Sequence, residues 1–217
     1  MKKIAITGAN GNIGAGLAHY FADKGYEVIA LTRADIDLTS ETPFTDFFAR
    51  NPDFTVDYWI NNAATQTVAS LKEMTQEDVL TQFKINTLSI FNLYYELAKK
   101  KYVTDSVLNI SSVEAINARP GHSHYGASKA ALDSLTRSAA VELAPLRSNS
   151  LRLGLIHREG IENAWPQGVN AWIDSTPLQR MGTIVDIGQA AEFLLTSTFT
   201  TGAHITVDGG NTVATNW

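Results

Sequence analysis

Short apolar segments rich in β-branched and aromatic residues recur along the chain, separated by longer stretches in which apolar positions return every three to four residues. This alternation predicts an α/β fold, a doubly wound sheet of about seven mostly parallel strands with helices on both faces. The first strand runs from Lys3 to Thr7, a helix from about Ile13 ends at Gly25, and Glu27 to Thr32 forms the second strand. Between Arg33 and Thr39 there is room for a turn and a brief extended piece but not for a helix, so one crossover is cut short. Pro43 opens a helix to about Arg50, because proline at the first helical position gives up no intrahelical bond. Asp57 to Asn61 is the fourth strand. Thr75 then starts a long helix to about Lys100, with Glu77 and Asp78 near its beginning and lysines at its end, as the helix dipole favours. Its apolar positions Val79, Leu80, Phe83, Leu88, Phe91 and Tyr95 are expected to be core or subunit contact. Asp105 to Ile110 is a strand, Ser123 to Ala144 a helix stopped by Pro145, and Ser150 to Ile156 a further strand. The stretch Arg158 to Gly182 holds two prolines, two tryptophans and three glycines with weak periodicity, the composition of a variable loop with a short helix. Thr183 caps a last helix to about Thr196, and Ala203 to Val207 closes the sheet before Asp208-Gly209-Gly210.

Composition narrows the function classes. The 217 residues suit one domain, 1–217, with a single core. No apolar run approaches the roughly 20 residues of a membrane helix, and the opening MKKIAITGAN turns to glycine and asparagine too soon for a signal peptide, so a cytoplasmic protein without membrane contact is expected. The absence of cysteine excludes disulfides, thiolate metal sites and cysteine nucleophiles. Seventeen basic against 22 acidic side chains, a net charge of −5, argue against a nucleic-acid surface. His122 and His124 lie two apart without a third ligand, so pocket lining or plain surface is expected of them and no metal site is.

Chemistry concentrates in a few places. Thr7-Gly8-Ala9-Asn10-Gly11-Asn12-Ile13-Gly14 lies between a predicted strand and helix, where glycines allow a tight turn and a phosphate can approach the N–H groups at the helix start. Asn61-Asn62-Ala63-Ala64 follows the fourth strand, Asn86 lies in the next helix, and Ser112 stands thirteen residues before Tyr125 in Tyr125-Gly-Ala-Ser-Lys129. Pro177 to Gly182 and Thr201 to Gly210 complete the series. Together these motifs resemble the short-chain dehydrogenase/reductase family over nearly the whole chain. The resemblance implies a single-domain Rossmann-type fold and an NAD(P)(H)-dependent oxidoreductase that moves hydride between a nicotinamide and a small carbonyl or alcohol substrate.

Tyr125 and Lys129 are four apart on a predicted helix and share one face. A lysine ammonium, with an oxidised nicotinamide, favours the phenolate and lowers the tyrosine pKa, which suits acid–base work. In the mechanism the resemblance implies, Tyr125 is the general acid or base, Ser112 holds the substrate oxygen, Lys129 binds the nicotinamide ribose and tunes Tyr125, and Asn86 supports a water relay. The same resemblance assigns Gly8, Asn10, Asn12, Ile13, Gly14, Thr32, Arg33, Asp37, Leu38, Asn62 and Ala63 to the cofactor, and Ile161 to its carboxamide. Thr32 followed by Arg33 at the end of the second strand favours NADP(H), since arginine pairs with a 2′-phosphate; if Asp35 serves the ribose instead, NAD(H) is used.

The pattern breaks in three places: the glycines fall at 8, 11 and 14, Ala64 replaces a glycine, and Arg158-Glu159 stands where Pro-Gly is usual. Two other functions are compatible with the scaffold, a non-catalytic dinucleotide-binding regulator and a sugar-nucleotide epimerase or dehydratase. Length opposes the latter: 217 residues lie below the family's usual size, and a truncated crossover and short substrate loop leave no room for an added domain. The resemblance further implies a homodimer or homotetramer, for which Phe91, Tyr94 and Tyr95 offer contact residues.

Overall fold

The computed structural model describes residues 1–214; the last three residues of the predicted 1–217 domain lie outside the described residues. In chain order the elements are β1 (Lys3–Thr7), α1 (Asn12–Asp23), β2 (Glu27–Leu31), α2 (Pro43–Arg50), β3 (Val56–Asn61), α3 (Gln76–Phe83), a π-helical turn (Lys84–Leu88), α4 (Ser89–Lys99), β4 (Val103–Ser112), α5 (Ser123–Glu142), β5 (Arg147–Leu153), α6 (Ile161–Ala164), α7 (Pro166–Ser175), α8 (Ile184–Thr196) and β6 (His204–Val207). One parallel sheet has the order β2-β1-β3-β4-β5-β6.

The described residues thus give six strands where about seven were expected. The brief piece after Arg33 does not pair: Ile36 donates its N–H back to Thr32 and Asp35 does the same, so the segment closes into a turn. Its apolar residues Ile36 and Leu38 bury themselves beside α2 instead of extending an edge.

Side chains alternate across the sheet. Ala5, Trp59 and Val107 face a layer built from α2, α4 and α5, with Phe44, Phe47, Phe48, Leu93 and Leu132 around the fully buried Trp59. Ile4, Ile6, Tyr58, Ile60, Leu108 and Leu151 face α1 and α8 through Leu17, Phe21, Ile187 and Leu194. The chain passes from β1 outward to β2 and then returns beyond β1 to β3, which opens a crevice at the carboxyl ends of β1 and β3.

Two expectations for the long helix are corrected. It is not continuous: a capping box between Thr75 and Asp78 starts α3, and the π-turn at Lys84–Leu88 interrupts it. The extra residue of that turn shifts the helical phase, and the buried stripe contains Gln82, Asn86 and Thr87 before Ile90, Leu93, Tyr94 and Leu97. Leu80, Leu88, Phe91 and Tyr95 are therefore more than half exposed. Tyr94, offered as a contact residue, is core: its hydroxyl bonds Ser148 at 2.7 Å and accepts from Asn109 at 2.8 Å. The Arg158–Gly182 loop holds two helices, α6 and α7, instead of one. Among the described residues no helix is long and apolar enough to cross a membrane.

Candidate active site

A cleft of about 1180 Å³ opens over the carboxyl ends of the strands. At one end β1 runs into the glycine loop. Gly8 has φ +65°, a left-handed conformation, and lies so close to Ala63 that a Cβ would meet its Cα at 2.9 Å. A Cβ at Gly14 would clash with the Gly8 carbonyl, so both glycines permit α1 to start against the loop. Asn62 closes this corner from β3, donating its side-chain amide to Thr7 O at 2.9 Å, while the Asn62 and Ala63 N–H groups donate to Thr7 Oγ1. The N-cap of α1 is Gly11, with no side-chain cap, so the first turn of the helix, Asn12 to Gly14, meets the cleft without a capping side chain.

Beyond the end of β2 the turn presents Thr32, Arg33, Asp37 and Leu38 to the cleft. Arg33 is 77% exposed, and its contact is Asp37 at 3.5 Å. Asp35 is committed elsewhere: its carboxylate accepts from the Thr32 N–H and hydroxyl at 2.8 and 2.9 Å, bonds that hold its pKa below the ordinary value, and it does not line the cleft.

Three of the four predicted catalytic side chains converge at the centre. Ser112 is the last residue of β4, and Tyr125 and Lys129 stand one turn apart on α5; all three line the cleft. The Ser112 hydroxyl accepts the Glu114 N–H at 3.1 Å, which fixes it at the start of a short 3-10 turn. Lys129 is buried, with Nζ 2.8 Å from the Ile110 carbonyl and 5.7 Å from the centre of the Tyr125 ring. Burial pushes the Lys129 pKa down to about 8, against a smaller attraction from Asp133.

The direction of the tyrosine pKa differs from the sequence expectation. Burial first and the Glu114 charge second push Tyr125 up to about 12, and the Ser112 hydroxyl only partly offsets them. The expected lowering included the positive charge of an oxidised nicotinamide; in the protein alone, desolvation and a neighbouring carboxylate set the direction and the Ser112 hydrogen bond is the opposing contribution.

Asn10, Asn12 and Ile13 also line the cleft, as expected, and two predicted residues do not. Asn86 sits behind the wall in the π-turn. Its Oδ1 accepts the Thr65 N–H at 2.9 Å and its Nδ2 donates to Thr65 O at 2.9 Å and Ser128 Oγ at 3.1 Å, so it braces the cleft-lining Thr65 against α5. Ile161 is buried at the start of α6, its N–H bonded to the Arg158 carbonyl; Leu155, Ile156 and Arg158 take the cleft position. His122 and His124 line neither cleft nor surface. Both are buried, His122 against Glu114 and His124 against Thr67.

Residues not foreseen complete the cleft: Gln66, Glu114, Arg119, Trp165 and Trp172. Glu114 follows Ser112 by two residues, and the tryptophans belong to the segment expected to vary with substrate; these positions are the signals that point to them.

Known proteins share the sequence pattern and the fold over nearly the whole chain. A family model described as enoyl-(acyl carrier protein) reductase matches residues 35–212. The chain is 29% identical to an L-xylulose reductase of Caenorhabditis elegans over 96% of this chain and 95% of that protein. It is 27% identical to a 3-oxoacyl-(acyl-carrier-protein) reductase of Chlamydia trachomatis over 95% and 86%. A 4-hydroxyisoleucine dehydrogenase complexed with NADH superposes with a TM-score of 0.90 at 27% identity, covering 99% of this chain and 100% of the other.

Proposed function

The chain belongs to the short-chain dehydrogenase/reductase family and shares its nicotinamide-dependent chemistry on carbonyl and alcohol groups, and from that premise we propose how its own residues divide the work. When bound, the cofactor supplies hydride in reduction and accepts it in oxidation. Proton transfer falls to Tyr125, which gives its phenolic proton to the carbonyl oxygen in reduction and removes the hydroxyl proton in oxidation. Ser112 donates to the same oxygen: one of its lone pairs accepts the Glu114 N–H, and its proton turns to the substrate oxygen.

Lys129 holds the ribose nearest the nicotinamide and brings positive charge to the Tyr125 ring. Asn86 acts as a positioning residue through Thr65 and Ser128. The glycine loop with Asn10, Asn12 and Ile13 takes the diphosphate, Asn62 and Ala63 close the loop over it, Asp37 and Leu38 border the adenine, and Ile156 presents backbone to the carboxamide in place of Ile161. The convergence of Ser112, Tyr125 and Lys129 on a cleft that also receives an uncapped helix start carries this reading. Its test is Tyr125→Phe: consumption of NADPH or NADH with a panel of ketones and aldehydes falls by about a hundredfold or more while cofactor still quenches protein fluorescence. Undiminished turnover in the variant overturns the assignment.

NADP(H) is the preferred cofactor in this proposal, because Arg33 stands on the cleft with a largely exposed guanidinium while the rival Asp35 is spent inside its turn. Assembly as a homodimer or homotetramer through the exposed Leu88, Phe91 and Tyr95, and action in the cytoplasm, complete the proposal.

A further inference from the structure

Beside Tyr125 the cleft wall carries a carboxylate and a guanidinium that neither give nor take the proton in the reaction. The Glu114 side chain is 10% exposed; its Oε2 lies 2.9 Å from His122 Nδ1 and its Oε1 accepts from an Arg119 guanidinium N–H at 3.4 Å. Arg119 is 41% exposed, and most of its five donors are unspent. Its guanidinium is 4.7 Å from the Trp165 ring centre, and Trp165 in turn packs onto Gly168, where any Cβ would fall into the indole. The guanidinium is thereby fixed beside the carboxylate, with the Gln66 amide on the same wall.

Three ligand chemistries meet this wall differently. An acyl chain would cover Glu114 and Arg119 with nothing that bonds them, leaving both desolvated. A free carboxylate would compete for Arg119 and set a second negative charge next to Glu114, close to a tyrosine whose ionisation Glu114 already opposes. A pair of neighbouring hydroxyls donates to the carboxylate and accepts from the guanidinium, so the ion pair stays whole and its spare lone pairs and donors are filled. We propose that the substrate is a small polyhydroxylated carbonyl compound, or the corresponding polyol, and that Glu114 and Arg119 grip a hydroxyl pair adjoining the reacting carbon.

This rests on the oxidoreductase reading, and the test separates the two. The NADP⁺-loaded protein is titrated calorimetrically with a linear pentitol, and NADPH-dependent reduction is measured with a ketopentose, 2-pentanone and 2-oxopentanoate. Arg119→Met and Glu114→Gln are each expected to weaken pentitol binding by about tenfold or more, and to lower by a similar factor the ratio of kcat/KM for the ketopentose to that for 2-pentanone. Arg119→Lys recovers part of both. Unchanged pentitol binding in both variants, equal losses on the two ketones, or a preference for 2-oxopentanoate over the ketopentose overturns the proposal. Arg119-dependent pentitol binding by a protein that reduces none of the carbonyl compounds supports the hydroxyl subsite and removes the oxidoreductase reading instead.

Discussion

Lys129 is held in the fold at an energetic cost, and Lys129→Met exposes it. Burial lowers the lysine pKa from 10.5 to about 8, a displacement of about 2.5 units, or roughly 3 kcal/mol at 1.36 kcal/mol per unit. The unfolded chain keeps its proton up to about pH 10.5 while the folded one releases it near pH 8, so the cost is fully present below pH 8 and vanishes as the pH rises through 10.5. Methionine carries no charge but forfeits the bond to the Ile110 carbonyl, worth about 1 kcal/mol. The variant is therefore more stable than the parent by about 2 kcal/mol at pH 7, equivalent to roughly 4 to 8 °C in Tm for a chain of this size, and it loses turnover. Urea denaturation of both proteins from pH 7 to 10.5 checks the sign: the advantage of the variant shrinks steadily over that window and ends at or below zero. A variant less stable than the parent at pH 7, or an advantage independent of pH, refutes the reasoning.

Other perturbations follow from the same contacts. Glu114→Gln removes a charge that raises the Tyr125 pKa, so the alkaline rise of kcat/KM for alcohol oxidation moves to lower pH; an unmoved or raised limb contradicts the electrostatic role. Arg33→Ala weakens NADPH binding by about tenfold or more and NADH binding much less, measured by fluorescence titration, with equal weakening counting against the 2′-phosphate role. Gly14→Ala drives a methyl into the Gly8 carbonyl and costs about 1 to 3 kcal/mol of stability in urea denaturation, together with cofactor affinity. His204, partly buried beside Asp133, Ser150 and Arg137, has a pKa held below the ordinary 6.5 by desolvation, so folding stability falls as pH drops beneath that value. His204→Gln flattens this acid slope, and an unchanged slope assigns acid sensitivity elsewhere.

The parts of the fold that depend on local rules were legible from sequence. Pro43 at a first helical position, Thr183 with its reciprocal bond to Asp186, and the alternation of Tyr58, Trp59 and Ile60 across the sheet each carry their own signal, and the elements they define stand within a few residues of their expected limits. The Tyr125–Lys129 pair was legible because four residues on a helix bring two side chains together whatever surrounds them. What stayed hidden depends on distant partners. The π-turn at Lys84–Leu88 is set by Asn86 reaching across to Thr65 and Ser128, and apolar periodicity carries no trace of such bonds. The charged wall of Glu114 and Arg119 is assembled by His122 and by Trp165, which lies some forty residues further along the chain. The upward shift of Tyr125 likewise needs the burial that only the assembled cleft provides.

The shortened crossover shows why a missing strand leaves the site intact. After β2 the chain bends back through Thr32 and Asp35 rather than continuing the sheet, and the Arg50 guanidinium of α2 clasps the Asp35 carbonyl at 2.9 Å. Ile36 and Leu38 are buried on either side of Asp37, so the alternation that a strand would impose survives in the turn. Asp37 is thereby turned to the cleft within reach of Arg33, and its carboxylate is steadied by the Thr39 N–H and hydroxyl at 3.0 and 2.7 Å. The adenosine end of the cleft is thus defined by two buried apolar anchors and one arginine clasp. Loosening that clasp with Arg50→Ala is expected to free the turn and weaken dinucleotide binding without touching the carbonyl chemistry, a rise in cofactor KM at unchanged kcat. A fall in kcat at saturating cofactor tells against a turn that acts on binding alone.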